Sequence, residues 1–201
     1  MLEQTDGIQL TDSERESLIT HERVILQSAD DTVILKQLLP EDAEKYFELV
    51  DASREHLSRK YSSQRKDITS GKYPDLQSVI DSIIPPEDLG KSKAKLKYRF
   101  GIWDGDLMVG SDNLTPLGNG CAELGSWIAK RYTGHHYHYA ARGRRLLVDF
   151  AFNQLNLDEL VCKIEMGNEA SRHSVESSGF TLTEEKVGGW IFILRRPQAE
   201  T

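Results

Sequence analysis

The chain has 201 residues, of which 38% are hydrophobic and 28% are charged, a composition typical of one globular domain. It contains no apolar stretch near the roughly 20 residues that a membrane-spanning helix needs, and no signal-peptide pattern at its start, so we expect a cytoplasmic protein with no membrane partner. The net charge is −7, of which residues 1–31 carry −6. The nearly neutral remainder gives no argument for a nucleic-acid partner.

Residues 1–31 are acidic and contain few apolar side chains. We predict that they form an extension outside the folded domain, which covers residues 32–201. The two cysteines, Cys121 and Cys162, lie far apart in the sequence and neither belongs to a CxxC pair. We therefore expect free thiols in a reducing compartment and no zinc site.

The first half of the folded region combines helices with two strands. A proline followed by two acidic residues opens one helix, and a proline pair ends another. Residues 91–103 predict a strand with a solvated basic face. The basic face consists of Lys91, Lys93, Lys95, Lys97 and Arg99, and the opposite, apolar face of Ala94, Leu96, Tyr98, Phe100 and Ile102. The predicted elements in chain order are a strand at 32–38, a helix from Pro40, a helix at 54–59, a loop at 61–77, a helix around 79–84 and the strand at 91–103.

Turns divide the second half into hairpins and helices. The turns at 104–106 and 118–120 are typical of hairpins, and an apolar stripe from Leu146 to Leu155 predicts a long helix. The predicted elements are strands at 107–114 and 121–129, a helix at 139–155, a strand at 160–166, a helix at 168–178, and a closing hairpin of strands at 180–186 and 190–194. This order predicts an α+β (mixed α/β) single domain.

The strand, loop and helix over residues 123–155 form a candidate phosphate site. A loop that enters a helix presents backbone N–H groups and the positive end of the helix dipole. Residues 127–150 add five basic side chains against one acidic side chain, a local net charge of +4. The alternative interpretation is an ordinary solvated helix start.

Three segments resemble those of the GNAT N-acetyltransferases. They are AELGSWI at 122–128, the helix at 139–152, and NEAS followed by SGF within 168–180, and the similarity covers residues 32–196. It is strongest to the RimJ/RimL-like branch, which acetylates the amino termini of ribosomal proteins. The resemblance implies a splayed mixed sheet of about seven strands with helices on both faces, acetyl-CoA held between the fourth and fifth strands, and direct attack of an amine on the thioester.

The resemblance also implies that the loop before the long helix binds the pyrophosphate of the coenzyme. Here the sequence departs from the family pattern Gln/Arg-x-x-Gly-x-Gly/Ala. When the family pattern is aligned by counting forward from Trp127, it begins at Arg131, and His136 occupies its last small-residue position. When it is aligned by counting back from Phe152, His138 occupies the glycine position. The disagreement predicts a two-residue insertion. The predicted coenzyme-binding residues of this segment are Arg131, Gly134, His135, His136, His138, Tyr139 and Ala140.

The three histidines of this loop have three interpretations. Their side chains crowd the pyrophosphate, donate hydrogen bonds to it, or are ordinary histidines on the surface of a loop. We predict no metal site, because no cysteine or acidic pattern accompanies them.

Two side chains are candidates for acid–base work. The resemblance implies that Glu123 receives the amine proton through water, although a strand residue paired with a neighbouring base is the alternative. It implies that Ser171 protonates or hydrogen-bonds the leaving thiolate, and that Asn168 contacts the pantetheine arm, although Asn168 would equally cap a helix. The main-chain groups expected to meet the thioester and the pantetheine belong to Trp127, Ile128 and Ala129.

The sequence therefore predicts an acetyl-CoA-dependent N-acetyltransferase that acts on a primary amine, either a protein amino terminus or a small molecule. A degenerate GNAT domain that serves as a non-catalytic binding or regulatory module is the alternative, supported by the irregular histidine loop. We expect a monomer or a homodimer, with acetyl-CoA as cosubstrate and no metal. No motif identifies the acceptor amine.

Overall fold

The computed structural model describes residues 23–29, 32–60, 73–83, 97–134 and 138–198. Within these ranges, eight strands form one sheet and five α-helices pack on it. The strands are β1 (Ile25–Gln27), β2 (Val33–Gln37), β3 (Tyr98–Asp104), β4 (Leu107–Gly118), β5 (Cys121–Ile128), β6 (Glu159–Glu165), β7 (Thr181–Lys186) and β8 (Gly189–Arg195). The helices are α1 (Ala43–Asp51), α2 (Arg54–Lys60), α3 (Leu76–Ile83), α4 (Tyr139–Asp149) and α5 (Glu169–Glu176).

Three shorter helical segments adjoin α1, α4 and β5. A 3-10 turn over Pro40–Asp42 leads into α1, with the proline at its first position as the sequence predicts. A π-helical segment, Phe150–Gln154, continues α4, so the helical region spans the predicted residues 139–154. A second 3-10 turn, Lys130–Tyr132, follows β5.

The sheet has the order β1-β2-β3-β4-β5-β6-β8-β7. All neighbouring strands are antiparallel except β5 and β6, which are parallel. The predicted mixed α/β fold is therefore confirmed. The eighth strand is β1, which lies within the predicted acidic extension and pairs with β2 so that Leu26 is buried opposite Leu35. The predictions for residues 1–22 lie outside the described residues.

Helices cover both faces of the sheet, as the resemblance implies. One apolar cluster contains α4 and α5, and rings such as Phe100 and Phe150 meet edge to face in it, 5.8 Å between centroids. The other cluster contains α1 and α3 and includes Tyr46, Val79 and Trp103. None of the described helices is both long enough and apolar enough to cross a membrane.

The prediction of a solvated basic face on the third strand is wrong for Arg99. This side chain is buried, and its Nη1 donates to Tyr73 Oη (2.5 Å) and Ser82 Oγ (3.1 Å). Alternation shows which side chains share a face, but β3 is an internal strand whose two faces are both covered by helices. Residues 91–96 lie outside the described residues.

Candidate active site

The candidate site is a cleft between two strands that separate. β5 and β6 pair at three positions, Cys121 with Glu159, Ala122 with Leu160 and Glu123 with Val161. Beyond Glu123, β5 continues to pair with β4 alone, and β6 with β8 alone. The strands enclose a cleft of about 390 Å³ between them, which is a typical size for a small-molecule site.

Most of the residues that line this cleft belong to four elements. β5 contributes Glu123 and the segment up to Ile128, and β6 contributes residues 162–165. Ala140 and Arg144 of α4 form one wall. The opposite wall belongs to the start and first turns of α5, where the lining residues include Asn168, Ser171 and Ser174.

The backbone of β5 offers hydrogen-bonding groups to the cleft at alternate residues. The Ala129 N–H donates to Val109 O (3.0 Å) and is therefore committed to the sheet. Because successive residues of a strand direct their N–H and C=O groups to opposite edges, the groups of Ile128 and Ser126 point to the edge away from β4, which is the cleft. Of the three predicted main-chain contributors, Ile128 thus faces the cleft, Trp127 lines it, and Ala129 lies outside it.

The start of α4 lies at one end of the cleft. His138 precedes the helix with a φ of +49°, and its carbonyl accepts the N–H groups of Ala141 (3.0 Å) and Arg142 (2.9 Å). A left-handed backbone is the conformation that favours glycine, which supports the count that puts His138 in the glycine place. Ala140, in the first turn, lines the cleft, so this end presents the positive end of the helix dipole.

Several predicted coenzyme-binding residues lie elsewhere. The Arg131 guanidinium stacks on the Tyr132 ring, 4.7 Å from its centroid, and lines a separate depression with Ala129. The Tyr139 side chain is buried in the core, where its hydroxyl donates to Asp104 (2.7 Å). Gly134 is exposed and is not part of the cleft wall. The predictions for His135 and His136 lie outside the described residues.

Glu123 is placed where the two strands diverge. Its Oε2 accepts a hydrogen bond from Lys163 Nζ at 2.6 Å, and both side chains line the cleft. The carboxylate is 34% exposed and the lysine 49%, so the ion pair is accessible from the cleft. The pairing that the sequence left as an alternative is therefore present, at a position from which the carboxylate reaches the cleft.

Asn168 and Ser171 lie together at the start of α5. The Asn168 Oδ1 accepts the Ser171 N–H at 3.3 Å, which caps the helix, and both residues line the cleft. The capping interpretation of Asn168 is thus confirmed. The Ser171 side chain is half-buried at the cleft wall, where a hydroxyl can donate a proton or a hydrogen bond.

The structure adds a buried charged pair that the sequence reasoning did not assign. Arg144 is 2% exposed and Asp112 is fully buried. Burial raises the pKa of the Asp112 carboxyl to about 6, although the neighbouring Ser126 hydroxyl and the Arg144 charge act in the opposite direction. The sequence contains one indication that Arg144 is buried. Arg144 lies three residues before Leu147, so helical spacing puts it on the same face as the apolar stripe.

The two cysteines are free thiols in the structure, as predicted. Cys162 lines the cleft but is buried, and desolvation raises the pKa of its thiol to about 12. The thiol is therefore neutral at physiological pH, which makes it a poor nucleophile. Among the described residues, no group of three or more His, Cys, Asp or Glu side chains is arranged to hold a metal ion.

The residues of the cleft fit a coenzyme with an anionic end and an amide-bearing arm. A helix N-terminus stands at one end, and exposed backbone groups of β5 run along the length. Ser126 Oγ lies next to the Asp112 carboxyl. Within the described part of the chain, the buried Arg144 Nε has no hydrogen-bond partner in the protein, although its neighbour Nη1 is bonded to α5 and the residue after it.

Comparisons with known proteins agree with this geometry. The sequence model of the acetyltransferase (GNAT) domain matches residues 32–181. A Bacillus subtilis (strain 168) protein, named as a candidate ribosomal N-acetyltransferase (YdaF), is 30% identical over 168 residues, covering 80% of this chain and 84% of that protein.

Two solved structures share the fold at lower sequence identity. The Mycobacterium smegmatis RimJ in complex with CoA-disulfide has a TM-score of 0.68 at 17% identity, and 86% of each chain is covered. The ribosomal-protein-S5-alanine acetyltransferase from Vibrio fischeri has a TM-score of 0.69 at 13% identity, covering 86% of this chain and 96% of that one.

Proposed function

The chain belongs to the acetyltransferase (GNAT) family and is an acetyl-CoA-dependent N-acetyltransferase, and we propose that its acceptor is the α-amino group of a protein, with ribosomal proteins as the first class to test. The observation that carries the catalytic part is the divergence of β5 and β6 around a cleft lined by backbone donors. The similarity to a candidate ribosomal N-acetyltransferase supports the acceptor class. The proposal puts the enzyme in the cytoplasm, where ribosomal proteins are made.

The cleft residues divide the work of the reaction between binding and proton transfer. We assign the pyrophosphate to the N-terminal end of α4, next to Ala140, and the arm of the coenzyme to the exposed edge of β5. Acetyl-CoA supplies an acetyl group activated as a thioester. We assign to the N–H of Ile128, on the cleft edge of β5, the hydrogen bond to the oxygen on which negative charge develops.

Two side chains are the candidates for proton transfer during the reaction. An ammonium acceptor must lose a proton to become nucleophilic, and the Glu123 carboxylate at the cleft edge is the candidate base, directly or through water. The departing thiolate needs a proton or a hydrogen bond, and the Ser171 hydroxyl on the opposite wall is the candidate donor. Asn168 holds this hydroxyl in place by capping α5.

The acceptor would enter from the side of α1 and α2. His56 and Leu57 of α2 line the cleft near its α1 side. The Trp127 ring packs edge to face on Tyr46 of α1, 6.1 Å between centroids, which fixes the wall of this entrance.

Acetyl transfer to defined amines tests the proposal. The full chain is incubated with acetyl-CoA and either a peptide with a free amino terminus or the same peptide with a blocked amino terminus and an internal lysine. Spermidine serves as the small amine. We expect release of free thiol, and a mass gain of one acetyl group, with the free amino terminus alone.

Two other outcomes contradict the proposal in different ways. Transfer to spermidine without transfer to the peptides would replace the acceptor class and leave the enzyme class intact. If the melting temperature does not change at millimolar acetyl-CoA and no thiol is released, the non-catalytic alternative is favoured, because a ligand that binds the folded state must stabilise it.

A further inference from the structure

A buried arginine forms part of the cleft wall. Arg144 of α4 is 2% exposed, and it lines the cleft. Its Nη1 donates to three oxygens of the neighbouring helix region, Ser174 O (2.8 Å), Ser174 Oγ (2.9 Å) and Ser178 Oγ (3.0 Å). One nitrogen of the guanidinium is thus fixed to α5 and the residues that follow it.

The other two nitrogens of this guanidinium are not used by the described protein. Nε is buried and has no hydrogen-bond partner among the described residues, and Nη2 donates to none of them. A guanidinium carries five N–H donors. Nε is closed off from solvent inside the wall, whereas Nη2 is not among the inaccessible atoms. Leaving donors of a charged group unsatisfied costs free energy, so Nη2 is the donor that a molecule in the cleft can reach.

The buried carboxylate of Asp112 lies near Arg144 and carries the opposite charge. Asp112 of β4 lies beneath α4, and a Cβ on Gly143 would stand 2.5 Å from its Oδ2. Glycine at this helix position therefore admits the carboxylate. Neither Asp112 oxygen has a hydrogen-bond partner within the described residues, so Asp112 attracts Arg144 through its charge and leaves the N–H donors of the arginine uncommitted.

The position of Arg144 indicates which part of a coenzyme it would meet. It follows Ala140 by one turn of α4, about 6 Å along the helix axis, on the way from the helix N-terminus to the strand divergence at Glu123. Between the pyrophosphate and the thioester, coenzyme A is an uncharged arm with two amide groups. An amide carbonyl is a good acceptor for a charged guanidinium donor.

We propose that Arg144 is a coenzyme-binding residue that donates from Nη2 of its guanidinium to an amide carbonyl of the pantetheine arm, an inference that rests on the proposed function. Ser174 and Ser178 hold the guanidinium in place, and Asp112 balances its charge. A buried ionic pair is often no more stable than an apolar pair of the same volume, so a binding role explains why charges occupy these positions.

The test separates the arm of the coenzyme from its nucleotide. Isothermal calorimetry on the full chain measures the Kd of coenzyme A and of adenosine 3′,5′-bisphosphate, which lacks the arm. For R144M we expect the Kd of coenzyme A to rise about tenfold or more, the effect of one hydrogen bond to a charged group. The Kd of the bisphosphate should change less than about twofold. R145M, at the exposed neighbouring arginine, is the matched control and should change neither Kd beyond that.

A conservative variant keeps the test decisive if R144M does not fold. R144K retains the charge opposite Asp112, but its single ammonium is taken up by the serine oxygens, so we expect the same selective loss. Coenzyme A binding as tight as in the wild type, or equal losses for both ligands, would overturn the inference. If the wild type binds neither ligand, the proposed function itself fails. If the wild type binds coenzyme A and both variants match it, only the role of Arg144 is lost.

Discussion

Lys163 Nζ lies 2.6 Å from Glu123 Oε2, across the point at which β5 and β6 stop pairing. The last paired residue of β5 thus carries the carboxylate that faces the cleft, and the lysine reaches it from β6. An accessible ion pair of this kind contributes little to stability, about 0–1 kcal/mol. Its position at the cleft edge therefore matters more for chemistry than for the fold.

Replacing Glu123 by glutamine should lower turnover and leave coenzyme binding intact. If the carboxylate accepts the amine proton, E123Q should reduce kcat by about 100-fold or more, while the Kd of coenzyme A changes less than about twofold. Steady-state kinetics across pH and calorimetry measure the two quantities. Because the variant depends on amine that has already lost its proton in solution, the acidic limb of the pH–rate curve should move to higher pH, toward the pKa of the acceptor amine.

The matched control for this variant is E159Q. Glu159 of β6 forms a comparable ion pair with Arg195 of the neighbouring strand β8 (3.1 Å), and it does not line the cleft. Its replacement should leave kcat unchanged. An E123Q enzyme with the wild-type pH–rate profile would show that the Glu123–Lys163 pair is structural.

Variants of Asn168 and Ser171 should have different effects: one should lower stability and the other should lower turnover. Asn168 caps α5 through the Ser171 N–H, so N168A should lower the free energy of unfolding by about 1 kcal/mol. S171A keeps that N–H and should leave the melting temperature unchanged while kcat falls about tenfold or more. Thermal melts and kinetics on both variants measure this. A loss of stability in S171A without a loss of kcat would reverse the two roles.

Much of the local structure was predictable because it follows from neighbouring residues. The proline before α1, the apolar stripe of α4 and the segment from Asn168 through α5 each determine an element without reference to distant parts of the chain. Glu123, Ser171 and Asn168 were found because the resemblance places them beside recognisable elements, and all three line the cleft.

The remaining features depend on contacts between distant segments. The three residues of β1 become a strand through pairing with β2, which a short local pattern does not indicate. Arg99 is buried because helices cover both faces of β3, and alternation alone does not show how many faces are covered. Arg144 and Asp112 come together from α4 and β4, so their pairing follows from the packing of helix on sheet.

His138 occupies a left-handed backbone conformation at the start of α4, with a φ of +49°. For a residue with a Cβ, this conformation costs about 1–2 kcal/mol, and glycine avoids the cost. H138G should therefore raise the free energy of unfolding by about 1 kcal/mol. If the imidazole crowds the pyrophosphate, H138G should also tighten coenzyme A binding, because glycine removes this side chain.

H138A distinguishes the backbone effect from the side-chain effect. Alanine removes the imidazole but keeps the Cβ, so its stability should stay near that of the wild type while coenzyme A binding improves. Chemical unfolding and calorimetry provide both readouts. Weaker binding of coenzyme A by both variants would show instead that the imidazole donates to the phosphates.

The buried Asp112 carboxyl makes stability depend on pH in a direction that can be worked out. Its folded-state pKa is about 6, whereas an unfolded aspartate titrates near 3.9. Below pH 4 both states carry the proton, so the carboxyl costs nothing. Between pH 4 and 6 the unfolded state loses its proton first, and stability therefore falls as the pH rises. Above pH 6 both states are ionised and the full cost, up to about 3 kcal/mol, is present.

Asparagine at position 112 cannot ionise, so D112N should gain stability relative to the wild type as the pH rises from 4 to 7. Urea unfolding at several pH values measures this difference, which should grow by about 1–3 kcal/mol. D106N, at an exposed aspartate in the β3–β4 turn, is the matched control for replacing a carboxylate outside the core. A D112N difference that stays constant or shrinks with rising pH would mean that the Arg144 charge outweighs desolvation and keeps the Asp112 carboxyl ionised in the folded protein.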